Sequence, residues 1–340
     1  MKAQVLYRHG GPEVIESAEL PDPTPGPGQV LLRVRAVALN HLDLWVRRGL
    51  PNLTHEYPHQ LGSDIAAEVL GAGPGVAGVS VGQRVLVNPG LSCGACRACL
   101  LGEDNLCPRY RIIGENAQGG YCEQFVVPVQ NLLPYPDGLS WEEAASIPLT
   151  FLTAWQMLVL KARVRPGETV LVLGAGSGVS VAAIQIAKLH GARVIATSTS
   201  EKKRERALAL GADEAIPTEG FLAEVKKRTD KRGVDVVVEH PGAATWEHSI
   251  KALVAGGRLV TCGATSGFDA KTDLRFVFFK QLQLLGSTMG PKGTLFDILH
   301  HVKSGALRPV VDIAMPLSEA RAAHQRLESK EQFGKVVLLA

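Results

Sequence analysis

The stretch that most constrains the fold is residues 169–197. Thr169-Val170-Leu171-Val172-Leu173 is an apolar run, and Gly174-Ala175-Gly176-Ser177-Gly178-Val179-Ser180 is a glycine-rich turn. Residues 181–188 then read as helix and residues 193–197 as a second apolar run. Two buried strands joined through a helix imply a right-handed βαβ crossover and a parallel sheet. Glycines at the turn let the backbone approach a pyrophosphate, which sits on the helix's positive N-terminus. The pattern predicts dinucleotide contacts at Gly174, Gly176, Ser177, Gly178 and Val179. The third glycine of the ideal fingerprint is absent, because Val179 stands there, or Val181 if the frame starts at Gly176. The competing reading is a tight strand-to-helix turn with no ligand. Residues 169–187 are also uncharged and about long enough to cross a bilayer. Glycines inside a helix are costly, so a buried strand, turn and helix are expected instead.

The end of the second strand reports on the ribose. A site for NAD usually places an acid there, but this chain has Thr197-Ser198-Thr199-Ser200. The nearest acid, Glu201, stands three residues after Ser198 and reads as part of a capping box. Lys202, Lys203 and Arg204 follow and could pair with a 2′-phosphate. Ser198 and Lys202 are therefore the expected ribose-side contacts, and NADP(H) is favoured over NAD(H).

Further apolar runs at residues 234–238, 258–262 and 282–285 alternate with helical stretches, which extends the doubly wound parallel sheet. His240 and Gly242, and then Gly263 and Ala264, follow two of these strands. They are expected nicotinamide-side contacts, because strand carboxyl ends line the cofactor crevice. Before residue 140 the pattern is different. Short β-runs at residues 30–34, 66–70, 84–87 and 119–127, bounded by Gly and Pro, suggest an antiparallel barrel-like unit. Ser140-Trp141-Glu142-Glu143 reads as a capping box opening a helix. After Gly286 one more helix, near residues 294–303, and a final strand at residues 335–339 are expected. A length of 340 residues suggests two domains. A net charge of +3 and 5% aromatics exclude a polyanion-binding surface, so no nucleic-acid partner and no membrane partner are expected. The opening eight residues carry charges where a signal peptide needs an apolar stretch, so a cytoplasmic protein is expected.

Four of the six cysteines lie close together, as Cys93-x2-Cys96-x2-Cys99-x7-Cys107. Such a cluster in a large chain without an export signal favours metal over disulfides. The short gaps turn successive thiolates toward one centre, and the longer gap closes a tetrahedron suited to Zn²⁺. A closed shell has no open position, so one structural zinc per chain is expected. Four thiolates and one dication would lower the net charge from +3 to +1. Redox-active cysteines and an iron–sulfur cluster are the alternatives, though ferredoxin motifs have other spacings. Cys122 and Cys262 read as ordinary buried thiols.

Taken together, these features resemble the medium-chain dehydrogenase/reductase superfamily over essentially the whole chain. The four-cysteine lobe, residues 91–110, resembles the structural-zinc lobe of its zinc alcohol dehydrogenases. Val81-Gly82-Gln83-Arg84-Val85, Gly120-Tyr121 with Glu123, and Gly334-Lys335-Val336-Val337 resemble other superfamily landmarks. Ala38-Leu39-Asn40-His41-Leu42-Asp43 and Val194-Ile195-Ala196-Thr197 resemble its quinone oxidoreductase branch. The resemblance implies an α/β architecture with a GroES-like β-barrel catalytic domain at residues 1–150 and 287–340. A Rossmann NAD(P)-binding domain at residues 151–286 is inserted in it. It also implies a homodimer or homotetramer, with dimers joined through Rossmann sheet edges.

One departure stands out. Zinc alcohol dehydrogenases hold a second, catalytic zinc through a Cys-Gly-x-Asp cysteine, a Gly-His-Glu histidine and a cysteine four residues before a threonine. Those positions here are Asn40, Ser63 and, before Thr153, Leu149. A metal site rearranged onto His41, Asp43, His55, His59 and Asp64 is one alternative. Metal-free chemistry is the other. Without a Lewis acid, positioned donors must stabilise the developing oxyanion, each worth roughly 2.7–4 kcal/mol. The expectation is NAD(P)H-dependent reduction of a quinone, an α,β-unsaturated carbonyl or a simple aldehyde. Asn40 would hold the carbonyl oxygen, Asp43 with His41 would orient it or relay a proton, and Ser63, Asp64 and Thr153 would line the pocket. Salt-bridging or turn-capping carboxylates, and a non-catalytic NADPH-binding protein, are the blander alternatives.

Overall fold

The computed structural model describes every residue except Asn52. Its contacts divide the chain into two units. The first comprises Met1–Leu149, Pro291–Ser304 and Arg308–Ala340; the second comprises Thr150–Gly290 and Gly305–Leu307.

The first unit is built on a seven-stranded, mostly antiparallel sheet. Its central strand, Gln29–Ala38, pairs on one side with Asp64–Ala72 and on the other with Lys335–Leu339. Ala38 faces Asp64 in one register and Val337 in the other, so three adjacent strands bring distant sequence to one place. A three-stranded sheet of Ile15–Glu19, Lys2–Leu6 and His59–Gln60 lies beside it in the same core. The core is aliphatic (Val30, Leu32, Val37, Ile65, Val85, Val336), as alternation along half-buried strands requires. The helix His41–Arg48 follows Asn40, and Trp141–Ala145 opens on the expected capping box, with Glu143 N donating to Ser140 Oγ at 3.2 Å. A second late helix, Ala320–Glu328, is present beside the expected Thr294–Lys303. Its buried Ala320, Ala323, His324 and Leu327 carry the helical spacing that marks it.

The second unit is a six-stranded parallel sheet: β1 (Thr169–Val172), β2 (Arg193–Ser198), β3 (Glu214–Pro217), β4 (Val234–Glu239), β5 (Leu253–Thr261) and β6 (Gln283–Gly286). The spatial order is β3-β2-β1-β4-β5-β6, the doubly wound arrangement. The sequence did not signal β3: at an edge, with Glu214 and Pro217 in four residues, it lacks the apolar run of a central strand. No helix among the described residues is long and apolar enough to cross a membrane.

Candidate active site

In the second unit the glycine turn lies between β1 and the helix Gly178–Leu189. Gly174 adopts φ +63°, the left-handed region a side chain resists, and any Cβ there would meet His240 at 3.0 Å. Ser177 caps the helix by accepting from Ser180 N at 3.1 Å. The first-turn amides of Gly178 and Val179 have no intrahelical acceptor, and they form the end of the helix to which a pyrophosphate is drawn. Val179 stands where the fingerprint has its third glycine, and next to it Ser180 donates its hydroxyl to Leu173 O at 2.7 Å.

His240, at the end of β4, lies 2.9 Å from Leu173 O and 2.8 Å from Ser180 Oγ. Desolvation holds it neutral, with its pKa down at about 4. It ties β4 to the glycine turn. Gly242 (φ +88°) packs on Ala264, and its amide donates to Glu239 Oε1 at 2.9 Å, so Gly242, Gly263 and Ala264 gather at adjacent strand ends. At the end of β2, Ser198 is buried and Lys202 is exposed on the first turn of the helix Glu201–Ala209. The N-cap of that helix is Ser200, so the expected capping box from Ser198 to Glu201 does not form. Glu201 instead occupies the first helical position, where an acid suits the positive helix end.

In the first unit the four cysteines converge as a lobe. Cys96 Sγ is 3.5 Å and Cys93 Sγ 3.9 Å from Cys99 Sγ, and all four sulfurs lie within 4.8 Å of one another. Zinc–sulfur bonds of about 2.3 Å arranged tetrahedrally give sulfur–sulfur edges of roughly 3.8 Å, so the donor set fits zinc. Amide donors from Ala95 and Cys96, with the Arg109 side chain, pull the Cys93 thiol down to about 5. Among the described residues this is the one group of three or more His, Cys, Asp or Glu whose ligand atoms converge. The ligand atoms of His41, Asp43, His55, His59 and Asp64, the residues of the rearranged site considered above, do not converge into such a group. His59 faces Gly114 O at 3.4 Å, and its ring lies 4.2 Å from that of His55. Desolvation pushes Cys122 and Cys262 up to about 12; Cys122 is buried as expected, whereas Cys262 is half-buried.

Beside the altered ligand positions lies a buried lysine that the sequence offered only as a landmark. Lys335, 4% exposed, donates to Asn40 Oδ1 at 2.5 Å and to Asp64 Oδ2 at 2.9 Å. Asn40 Nδ2 donates to the same Asp64 oxygen at 3.0 Å, and Leu149 N donates to Asp64 Oδ1 at 2.7 Å. These bonds fix the amide's orientation, since its oxygen must face the ammonium and its nitrogen the carboxylate. Asp43 takes Asn40 N at 2.7 Å and Gly62 N at 2.8 Å, one on each oxygen. Burial raises its pKa to about 6, against the pull of those amides and of Lys335. Ser63 is fully buried and its Oγ has no partner. His41 opens the helix half-buried, and Thr153 is buried on the helix Pro148–Trp155.

Known proteins show the same architecture. A family model described as an alcohol dehydrogenase GroES-like domain matches residues 26–137, and one described as a zinc-binding dehydrogenase matches residues 178–304. The chain is 33% identical to an acryloyl-coenzyme A reductase of Metallosphaera sedula over 99% of both. It is 28% identical to a quinone oxidoreductase of Rattus norvegicus, over 100% of this chain and 98% of the relative. A crystal structure of an NAD-dependent alcohol dehydrogenase matches with a TM-score of 0.97 and 54% identity over 100% of both chains. The chain belongs to the medium-chain dehydrogenase/reductase superfamily. Within it, this is an NAD(P)-dependent oxidoreductase of the alcohol dehydrogenase and quinone oxidoreductase type.

Proposed function

We propose that the protein reduces a conjugated carbonyl compound with NADPH, using one structural zinc and no catalytic one. The observation that carries this reading is Lys335. The amide and hydroxyl that replace two zinc ligands are poor donors to zinc, and the third position is a leucine. The carboxylate of Asp64 is already shared by an ammonium and two N–H donors. A dication there would have to displace Lys335 or tolerate a like charge beside it.

The nicotinamide, when bound, supplies the hydride. The chain's own residues orient the acceptor and manage charge and proton. The amide of Asn40 is committed to Lys335 and Asp64, so we assign the carbonyl oxygen to the unpartnered Ser63 hydroxyl. Asp43 spends both oxygens on backbone amides and acts by holding the turn, which leaves His41 as the proton source. Conjugated acceptors suit such a site because their charge delocalises during hydride transfer, so fewer donors suffice. The acryloyl-coenzyme A reductase relative makes an enoyl thioester the first acceptor to try. Hydroxyls at the end of β2, with Lys202 beyond them, favour the 2′-phosphate of NADPH. The unpaired edge of β6 favours a homodimer that extends the sheet, and the exposed Phe268, Phe278 and Phe279, at 92%, 60% and 77%, add apolar surface that association could cover.

A second reading, oxidation of an alcohol with NAD⁺, is favoured by the 54% identical dehydrogenase structure. Steady-state assays separate the two. We expect kcat/KM for NADPH with acryloyl-CoA, cyclohexenone or benzoquinone to exceed by at least about 10-fold that for a saturated aldehyde. Faster turnover of a primary alcohol with NAD⁺ would overturn the proposal.

A further inference from the structure

Behind the pocket lies a polar strut that the chemistry above does not use. Arg47, Tyr121 and His324 are each fully buried. Arg47 stands on the helix that follows Asn40, and His324 on the helix Ala320–Glu328. The Arg47 guanidinium reaches His324 Nδ1 at 3.0 Å, and His324 Nε2 lies 3.0 Å from Tyr121 Oη. Arg47 also donates to Gly10 O at 3.2 Å and pairs with Glu328.

Elementary donor counting fixes the histidine. A guanidinium can only donate, so Nδ1 must accept, and the single ring proton sits on Nε2, where it donates to Tyr121. An imidazolium would point a proton at Arg47. The two rings meet edge to face, with centroids 5.9 Å apart at 87°.

Tyr121 in turn abuts Gly62. A Cβ on Gly62 would lie 2.5 Å from Tyr121 Cδ1, and Gly62 has φ +94°. The amide of Gly62 donates to Asp43, and Ser63 and Asp64 follow directly. The turn is thus held between the Tyr121 ring and the Asp43 carboxylate, and the Arg47 helix is the one whose first turn carries Asp43.

We propose that Tyr121, His324 and Arg47 are positioning residues that set residues 62–64 and the start of the Asn40-capped helix, with His324 working as a fixed Nε2–H tautomer. This rests on the functional reading above, because those residues are the ones assigned to the acceptor.

The test compares full-length protein with His324→Leu, His324→Gln and Tyr121→Phe. A glutamine amide can accept from Arg47 and donate to Tyr121, so it rescues the strut, and leucine cannot. Hydrogen exchange is read at residues 60–66 and 40–46, alongside kcat and KM. We expect His324→Leu to speed exchange there at least about 10-fold and to lower kcat about 10-fold. NADPH affinity, read by fluorescence, should stay within about two-fold. His324→Gln should restore both readouts to within about three-fold, and Tyr121→Phe should give intermediate exchange if the leucine variant does not fold. Unchanged exchange in those segments, or glutamine no better than leucine, overturns the proposal. If the wild type turns over no acceptor, the functional reading fails, and exchange alone decides the strut.

Discussion

Lys335 shows how one side chain redefines a pocket. Its ammonium balances Asp64 in a place where water does not compete, so each charge depends on the other. Breaking a buried pair from one side typically costs about 3–5 kcal/mol, because the remaining charge is stranded. Lys335→Met should therefore lower stability by about that amount in urea denaturation. Asp64→Asn in the same background should recover most of the loss, and the double-mutant cycle measures the coupling. Additive losses would show that the pair is not coupled. Asn40→Ala tests the neighbouring contact, since it removes both an acceptor from Lys335 and a donor to Asp64. We expect a loss of about 1–3 kcal/mol from the unsatisfied groups it leaves.

Elements explain what the sequence could and could not show. The glycine turn, the capping box at Ser140 and the four-cysteine lobe are local, so their spacing carries them. Lys335 is different. It meets Asn40 and Asp64 only through the pairings of the strand Gln29–Ala38 with two distant strands, and no local pattern encodes that register. The commitment of the Asn40 amide was hidden for the same reason. The helix Ala320–Glu328 was visible in principle from its spacing, but its many charged and polar residues blurred the stripe. Its His324 also sets a pH response. Burial, with Arg47 and Arg48 nearby, holds His324 down at about 3, and desolvation holds His59 and His240 at about 4. Between the ordinary histidine value of 6.5 and those values, the unfolded chain binds protons that the folded one does not. Stability from these three groups is thus complete above about 6.5 and falls as the pH drops through that window. Asp43 acts oppositely: its folded value of about 6 against 3.8 makes the folded state hold the extra proton, a gain lost as pH rises through 6. Three groups outweigh one, so the urea midpoint should fall between pH 7 and pH 5. His324→Gln should flatten that slope, and an unchanged slope would remove His324 from the account.

At the scale of the whole molecule, two units divide the work. One supplies a parallel sheet whose glycine turn suits a dinucleotide, and the other an antiparallel frame that carries the altered pocket and the cysteine lobe. Binding a metal to preformed thiolates contributes directly to folding stability. Chelation should therefore loosen residues 91–110, read by protease sensitivity, with little effect on NADPH affinity. In the proposed reading zinc staples the lobe, while Lys335 takes the place of a second cation beside Asn40 and Asp64. Zinc counting by mass spectrometry on wild type and Cys96→Ser tests it most directly. We expect one zinc per chain in the wild type and close to none in the variant. Two per chain, or one that survives the loss of Cys96, would contradict it.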